Sequence, residues 1–195
     1  MTRVLFAIAA VMLAVLPVSA QEPTCKGCPS TYISEAEIQG YVKRAIAGKI
    51  VDQQVRAVDL GKSNVAIGVV HRGRLDAPAK DSVAEHDLVS EVYHVISGAA
   101  TLVTGPDLVG KQRRPPDNNA VKMLNGPGNN ATSIRGGTTN QLKAGDVIVI
   151  PAGTGHWFTK IDDHITYLMI RVDPDKVAPL KDEAASKKDL AGGNK

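Results

Sequence analysis

The sequence has few aromatic residues and no strong excess of either charge. Aromatic side chains make up only 4% of its 195 residues, which argues against a nucleic-acid reader that stacks bases on aromatic rings. The formal net charge of +3 is too small to steer the chain towards phosphate or anionic lipid. Apolar residues at 43% and charged residues at 22% exclude global disorder. We expect a folded domain with neither a nucleic-acid nor a membrane partner.

Long apolar runs are absent except at the amino terminus. Residues 1–3 carry one positive charge, 4–18 are almost wholly apolar, and 18–20 are small residues of the kind that a signal peptidase cuts. A membrane anchor would need about 20 apolar residues, and polar Gln21 follows at once. The pattern predicts a signal peptide over 1–20, cut after Ala20, and a periplasmic or secreted protein.

The cysteines are limited to Cys25 and Cys28, in a segment over 21–33 that we expect to be flexible. In an oxidising compartment the spacing favours a local disulfide. The alternative is a redox pair, but a thioredoxin-like motif lies in a βαβ unit, which the surrounding prolines do not indicate. Two thiols alone cannot complete a structural zinc site, which usually takes four ligands.

One helix precedes a series of short strands in the predicted domain, 34–173. Ser34 and Glu37 form a capping box, and apolar residues at helical spacing predict a helix over 35–47 that ends at Gly48. After it, β-branched runs separated by glycine and proline predict an all-β sandwich or barrel. The expected strands are 51–60, 64–71, 91–96, 100–103, 146–150, 157–159 and 165–172.

Two segments do not follow this pattern. Residues 105–142 are rich in proline, glycine and asparagine, and we expect an irregular excursion over the barrel, held in place by 121–124. Residues 174–195 alternate lysine with acidic residues. They predict a solvated tail with room for a short helix around 180–190.

Two histidines lie in contexts that indicate a functional site. His86 is followed by Glu91 at the start of a predicted strand. In the second context an apolar strand stops at Pro151, turns through Gly153 and starts again at His156. Such a tight corner fixes the histidine at the mouth of a barrel.

These two segments resemble the paired motifs of the cupin superfamily. His86, Glu91 and Gly98 match Gly-x5-His-x-His-x3–4-Glu-x6-Gly from its second histidine onward. Gly145, Pro151, Gly153 and His156 match Gly-x5-Pro-x-Gly-x2-His-x3-Asn. Two half-motifs in order and at the right spacing are a specific signal. The departures are Ala84, where the first histidine would stand, and Lys160, where the asparagine would stand.

The resemblance implies a single jelly-roll barrel with an amino-terminal helix, a long insertion between the motifs, and a homodimer. It also implies a metal site. His86, Glu91 and His156 are a two-histidine, one-carboxylate set, which suits divalent iron, zinc, manganese, nickel or copper. Since Ala84 removes one ligand of the usual set, the alternative is that both histidines line a metal-free pocket for a sugar or lipid.

Other side chains near the motifs have less specific roles. Tyr93 shares a strand face with Glu91 and either acts on the substrate, as a hydrogen-bond donor or acid, or fills the barrel. His94 points the other way and is expected to be packed or exposed. His71, His164 and Arg135 are expected at the surface, although Arg135 has the alternative of reaching an anionic substrate. Of Trp157 and Phe158, one is expected to close the core and the other to border the barrel mouth.

The leading hypothesis is an exported, metal-dependent enzyme acting on a small molecule, as an oxygenase, isomerase or lyase. The metal would polarise a carbonyl or activate oxygen or water, with Glu91 and Tyr93 as the candidate catalytic residues and Glu91 able to double as a base. The alternatives are a cupin that binds a sugar, a lipid or a signal molecule without turnover, and a structural periplasmic protein.

Overall fold

A helix begins the regular part of the computed structural model, which describes residues 23–25 and 27–192. The predicted signal peptide lies outside these residues. Helix α1 spans Glu35–Gly48, and the Ser34 Oγ accepts a hydrogen bond from the Glu37 N–H at 3.2 Å. The chain leaves the helix at Lys49 in the left-handed conformation. The capping box and the helix that the sequence predicted are both present.

Twelve strands and a single π-helical turn, Val121–Asn125, follow α1 in the described chain. The strands are β1 (Asp52–Asp59), β2 (Asn64–Arg72), β3 (Val83–His86), β4 (Ser90–Gly105), β5 (Leu108–Val109), β6 (Gln112–Arg113), β7 (Gly128–Ala131), β8 (Ser133–Ile134), β9 (Thr138–Lys143), β10 (Val147–Ile150), β11 (Gly155–Lys160) and β12 (Ile165–Asp173). Every pairing between them is antiparallel. The all-β prediction is confirmed.

Two sheets share the long strand β4. Its first half pairs with β10 and β12, and β12 pairs in turn with β2, which pairs with β1. Its second half pairs with β9 and β11, and β11 continues through β3 and β7 to β6. The sequence predicted two strands here, because glycine usually interrupts a strand. The structure instead has one strand that passes through Gly98 with φ +77°.

The main core lies among the inward faces of the strands. Its largest members are nearly inaccessible, and they are Tyr93, Leu102, Ile161, Ile165 and Tyr167. A second cluster fixes α1 to the outer face of the first sheet through Tyr41, Val55 and Val69. This leaves the space among the inward faces available for the site.

The inter-motif insertion is more regular than predicted. Within 105–142 the chain forms β5 to β9, and β7 and β9 extend the second sheet by pairing with β3 and β4. Strand β9 has the sequence Thr-Thr-Asn-Gln-Leu-Lys, in which only Leu142 is buried. The strands in this segment were not predicted, because their polar residues give no period-2 signal. The 121–124 segment lies in the π-helical turn, with Met123 exposed.

The segment after β12 is mostly exposed, as the sequence predicted, and it also packs against β1. Helix α2 spans Glu183–Ala191, within the region where a short helix was expected. Its Ser186 is fully buried and accepts a hydrogen bond from the Arg56 Nη1 at 2.9 Å. Lys181 forms a backbone bridge with Ala57 of β1. Contacts with β1, which sequence alone does not show, hold this segment on the fold.

Neither helix among the described residues is long and apolar enough to cross a bilayer.

The two cysteines ahead of α1 form a disulfide. Residues 28–34 between them and the helix have no regular secondary structure. The pair therefore lacks the helical setting of a thioredoxin-like motif, and the disulfide favoured from the sequence is the form found.

Candidate metal centre

Three side chains from three different strands meet inside the barrel. His86 ends β3, Glu91 lies near the start of β4, and His156 lies on β11. The His86 Nε2 is 3.3 Å from Glu91 Oε1, and the His156 Nε2 is 3.6 Å from Glu91 Oε2. One ligand atom from each residue lies within 4.8 Å of the others. The convergence that the motifs predicted is present.

The backbone joins the two motifs directly. The Gly153 N–H donates to the His86 carbonyl at 2.8 Å, and the Thr154 N–H donates to the Pro151 carbonyl at 3.1 Å. Gly153 has φ +79°, a conformation that glycine adopts at little cost. The turn before β11 is therefore held against the end of β3, which brings His156 next to His86.

All three candidate ligands are shielded from solvent. His86 is 4% exposed, Glu91 1% and His156 7%. Burial would raise the pKa of Glu91, but the neighbouring His86, His156 and Arg171 hold it well below its usual range. Burial lowers the pKa of His156 to about 4. At neutral pH the centre therefore has an ionised carboxylate and a neutral His156, which are the protonation states that metal ligands need.

The residues present fit a divalent transition metal. The buried Glu91 Oε1 has no hydrogen-bond partner among the described residues. It lies 3.3 Å from the His86 Nε2, so a carboxylate oxygen and an imidazole nitrogen point into one space. Imidazole and carboxylate donors suit iron, zinc and manganese alike. The cluster could therefore bind a metal, and its donors do not distinguish among these ions.

The outer nitrogen of His86 has an unusual partner. Arg114, from the insertion, has its Nη1 3.2 Å from the His86 Nδ1. Asn125, from the π-helical turn, has its Nδ2 3.0 Å from the His86 Nε2. Guanidinium and amide nitrogens both donate, so the Arg114 contact favours a ring with its proton on Nε2, whereas the Asn125 contact favours a ring with its proton on Nδ1. A metal on Nε2 needs the proton on Nδ1, so the Arg114 contact, unlike the Asn125 contact, opposes metal binding in this arrangement.

The carboxylate of Glu91 is held from two sides. The Tyr93 hydroxyl donates to Glu91 Oε2 at 2.7 Å, and the Arg171 Nε lies 3.7 Å from Glu91 Oε1. Arg171 is itself fixed by a hydrogen bond to the Gln54 Oε1 at 2.7 Å and an ion pair with Asp52. Burial, and then the Glu91 charge, raise the pKa of Tyr93 well above its usual value. Tyr93 is thus a neutral donor that orients Glu91.

A cavity of about 230 Å³ opens beside the three ligands. It is lined by Asp52, Val70, Arg72, Ala84, His86, Glu91, Tyr93, Arg114, Asn118, Ala120, Asn125, His156, Tyr167 and Met169. Two larger clefts, of about 770 and 460 Å³, lie beside the helices. Neither contains a group of metal ligands among the described residues. The smaller cavity is therefore the one that can place a substrate near these ligands.

Several cavity residues carried little signal in the sequence. Arg171 stands at an inward position of the apolar strand β12, and a charge inside such a run could have indicated it. Arg72 lies at the end of β2, where an exposed side chain is the default expectation. Arg114 and Asn125 lie in the insertion, and their contacts with His86 depend on long-range folding.

The remaining histidines and Arg135 lie outside the group of candidate metal ligands. His94 is exposed, as strand alternation predicted, and Arg135 is exposed and paired with Asp107 at 3.1 Å. His71 and His164 are half-buried and stack at 5.8 Å, so the expectation of exposed side chains is wrong for both. The contact arises because β2 and β12 are neighbours.

Of the aromatic pair after His156, Phe158 closes the core, as predicted for one of the two. Phe158 is buried in the main core. Trp157 is half-buried, and its indole N–H donates to the Ser82 Oγ at 3.0 Å. Strand alternation along β11 sends the two side chains to opposite faces.

Comparison with known proteins finds similarity to solved structures. No protein-family model and no curated protein matches the chain. A Bacillus halodurans protein, BH2720, is 14% identical with a TM-score of 0.43, covering 83% of this chain and 96% of its own. A cupin protein from Bacteroides fragilis is 14% identical with a TM-score of 0.37, covering 80% and 93% respectively. KdgF from Halomonas sp. is 14% identical with a TM-score of 0.36, covering 63% and 78%.

The fold assignment rests on the strand pairings of this chain and not on these TM-scores. Two antiparallel sheets form the double-layered jelly roll of which cupins are one class. His86 and Glu91 of the first motif and His156 of the second point into its interior. The chain therefore has an antiparallel, double-layered jelly-roll fold with the residues of both motifs at its interior, as the two motifs predicted.

Proposed function

We propose that this chain is a metal-dependent enzyme that acts on a small molecule as an oxygenase, isomerase or lyase. The observation that carries the proposal is the meeting of His86, Glu91 and His156, all buried, beside a cavity of about 230 Å³. Three protein ligands leave coordination positions open for water or substrate. A purely structural protein would have no need of this arrangement.

The residues of the site have separate roles, as metal ligands or as the group that orients a ligand. His86, Glu91 and His156 would hold the metal, which supplies Lewis-acid or oxygen-activating chemistry when bound. Glu91 suits the role of ligand better than that of base, because a carboxyl group with a low pKa is a weak proton acceptor. Tyr93 remains protonated at neutral pH, lines the cavity and holds Glu91 in place. Its single hydroxyl proton is donated to Glu91, so while that bond is kept Tyr93 can only accept a hydrogen bond from a bound substrate.

Elemental analysis of the purified chain tests the proposal. We expect close to one equivalent of a transition metal in the wild-type protein and none in His156→Ala. The exposed His94 offers a matched control, since His94→Ala removes an imidazole from the same barrel without touching the site. Wild-type protein without metal, whose thermal stability does not respond to a chelator, would refute metal binding.

A binding protein without turnover is the second candidate. Two observations favour it: position 84 is alanine, and Arg114 faces the His86 Nδ1 at 3.2 Å. Both weaken metal binding relative to a full ligand set. Mass spectrometry of the native protein distinguishes the two candidates, because this second function predicts a co-purified small molecule in metal-free protein.

The sequence further supports export and self-association, which we include in the proposal. The leader over 1–20 predicts a mature amino terminus at Gln21, which peptide sequencing of periplasmic protein would detect. The resemblance to cupins predicts a homodimer, and sedimentation analysis would measure its mass.

A further inference from the structure

We propose that the substrate of this site is a small organic anion, whose carboxylate is bound by Arg72 in the space left by Ala84 next to His156. The inference rests on the proposed function and adds to it the chemical class of the substrate. It is carried by the charges around the cavity, by an unpartnered buried nitrogen and by the shape of the space at position 84.

Arg72 lies where two cavities approach each other. The 230 Å³ cavity and a second one of about 130 Å³ are both lined by Arg72, Ala84 and His156. The Arg72 Nε is buried and has no hydrogen-bond partner among the described residues. The guanidinium carbon lies 4.8 Å from the centroid of the Phe158 ring. The Phe158 ring and the Tyr167 side chain hold the group in place, and its Nε is left as an unpaired donor.

The lack of a carboxylate partner distinguishes Arg72 from most arginines of the chain. Arg56, Arg74, Arg113 and Arg135 each form an ion pair with a glutamate or aspartate. For Arg72 no such pair is found within the described part of the chain. Desolvating a guanidinium without a counter-ion is costly. An anionic ligand would remove that cost.

The other charges of the cavity lead to the same ligand. Its two carboxylates, on Asp52 and Glu91, both lie against Arg171. Arg114 lines the cavity as well and contacts His86 and Asn130 but, in the described residues, no carboxylate. Two guanidinium groups are thus left without acidic partners, and a divalent metal would add to the positive charge. Such a cavity favours an anion over a neutral sugar or lipid.

Alanine at position 84 provides the space. Ala84 is paired with His156 across β3 and β11, and it shares the strand face of His86. A histidine here would place a third imidazole beside the other two. Alanine leaves this volume to the ligand, on the side where Arg72 lies. A guanidinium binds a carboxylate through two parallel hydrogen bonds, so the anion would be oriented towards the metal ligands.

The size of the cavity indicates that the part of the substrate it encloses has a few carbon atoms. At about 30 Å³ per water in the liquid, 230 Å³ corresponds to roughly seven or eight waters. A three- to five-carbon mono- or dicarboxylate matches that volume. The adjoining 130 Å³ leaves room for a short extension past Ala84.

Titration calorimetry with malonate, inorganic phosphate and neutral malonamide tests the inference on the full mature chain. We expect malonate to bind at least tenfold more tightly than malonamide or phosphate. Arg72→Gln should lose at least tenfold in malonate affinity, and Arg72→Lys should retain part of it. Arg74→Gln is the matched control, because it removes an exposed charge two residues away.

Ala84→His provides a second variant that keeps Arg72 intact. The imidazole should fill the proposed space, so malonate affinity should fall at least tenfold while metal content stays equal or rises. Melting curves followed by circular dichroism establish that each variant is folded. Unchanged malonate affinity in either Arg72→Gln or Ala84→His would overturn the inference, as would equal binding of malonamide and malonate. Tighter binding of phosphate than of malonate would show that the carboxylate assignment is wrong.

Elemental analysis of the same samples separates this inference from the proposed function. If no sample contains metal, the proposed function fails, and the comparison of Arg72→Gln with wild type still decides whether the anion site exists. If metal is present and Arg72→Gln has no effect, only the anion site is refuted.

Discussion

At the scale of single residues, Glu91 is the point on which the centre depends. Its two oxygens face His86, His156, Tyr93 and Arg171, and it is 1% exposed. Hydrogen bonds to a buried charge are stronger than those between neutral groups. The position of the carboxylate is therefore set by its neighbours before any metal binds.

Tyr93→Phe removes one of these neighbours without changing the shape of the core. We expect the free energy of unfolding to fall by about 1.5–3 kcal/mol, because a hydrogen bond to a charged group is lost. Metal affinity should fall about 10- to 100-fold, the usual effect of losing a group that orients a ligand. Urea denaturation and competition with a chromogenic chelator measure the two quantities. Tyr32→Phe, at an 81% exposed position, is the control and should change neither stability nor metal affinity. A Tyr93→Phe protein with wild-type metal affinity would show that Tyr93 only fills the barrel.

Arg114→Gln should have the opposite effect on the metal. The arginine can only donate to the His86 Nδ1, whereas a glutamine oxygen can accept from a protonated Nδ1 and leave Nε2 free. We expect metal affinity to rise several-fold in the same chelator competition. Arg113→Gln removes a neighbouring charge that is paired with Asp87 instead, and it should leave the affinity unchanged. Weaker metal binding in Arg114→Gln would contradict this account of His86.

At the scale of elements, α2 depends on its cap and on one buried serine. The Asp182 carboxylate accepts from the Ala185 N–H at 2.8 Å. Asp182→Ala should lower the free energy of unfolding by about 1 kcal/mol, as measured by urea denaturation. Asp175→Ala, at an exposed position outside any helix, is the control. Equal stability of the two variants would mean that α2 frays without cost to the fold.

Elements that depend on residues close together in the sequence could be predicted, whereas contacts between distant segments could not. The Ser34 cap and the apolar runs of β2 and β12 are local patterns, and they predicted those elements. Strand β9 exists because its backbone pairs with β4. The short helix expected around 180–190 is present, but its position on the fold depends on contacts of Ser186 with Val55 and Arg56 of β1. Neither the pairing of β9 nor these contacts leave a periodic pattern in the sequence.

The same distinction applies to the site. His86, Glu91 and His156 belong to motifs with fixed spacing, so their meeting could be predicted. Arg72 and Arg114 come to the cavity from segments with no such spacing. Their role as unpaired charges can be recognised only after the ion pairs of the other arginines are known.

At the scale of the whole molecule, Gly98 allows one strand to serve both sheets. It has φ +77°, and a Cβ there would lie 1.9 Å from the His164 carbonyl oxygen. Gly98→Ala would need both a strained backbone, at roughly 1–2 kcal/mol, and a displacement of the neighbouring chain. We expect the free energy of unfolding to fall by more than about 2 kcal/mol in a urea titration. Gly73→Ala is the matched control, because a Cβ there meets nothing within 4 Å. Similar losses of unfolding free energy in the two variants would contradict the role assigned to Gly98.

A strand common to both layers also limits how the protein can come apart. The amide hydrogens of β4 near Val95 and Leu102 can exchange with solvent only when β4 separates from both sheets. Their exchange rates therefore report on global unfolding. No fragment that stops inside β4 retains either layer whole. The barrel should accordingly resist stepwise digestion, and it should pass from intact to degraded in one event.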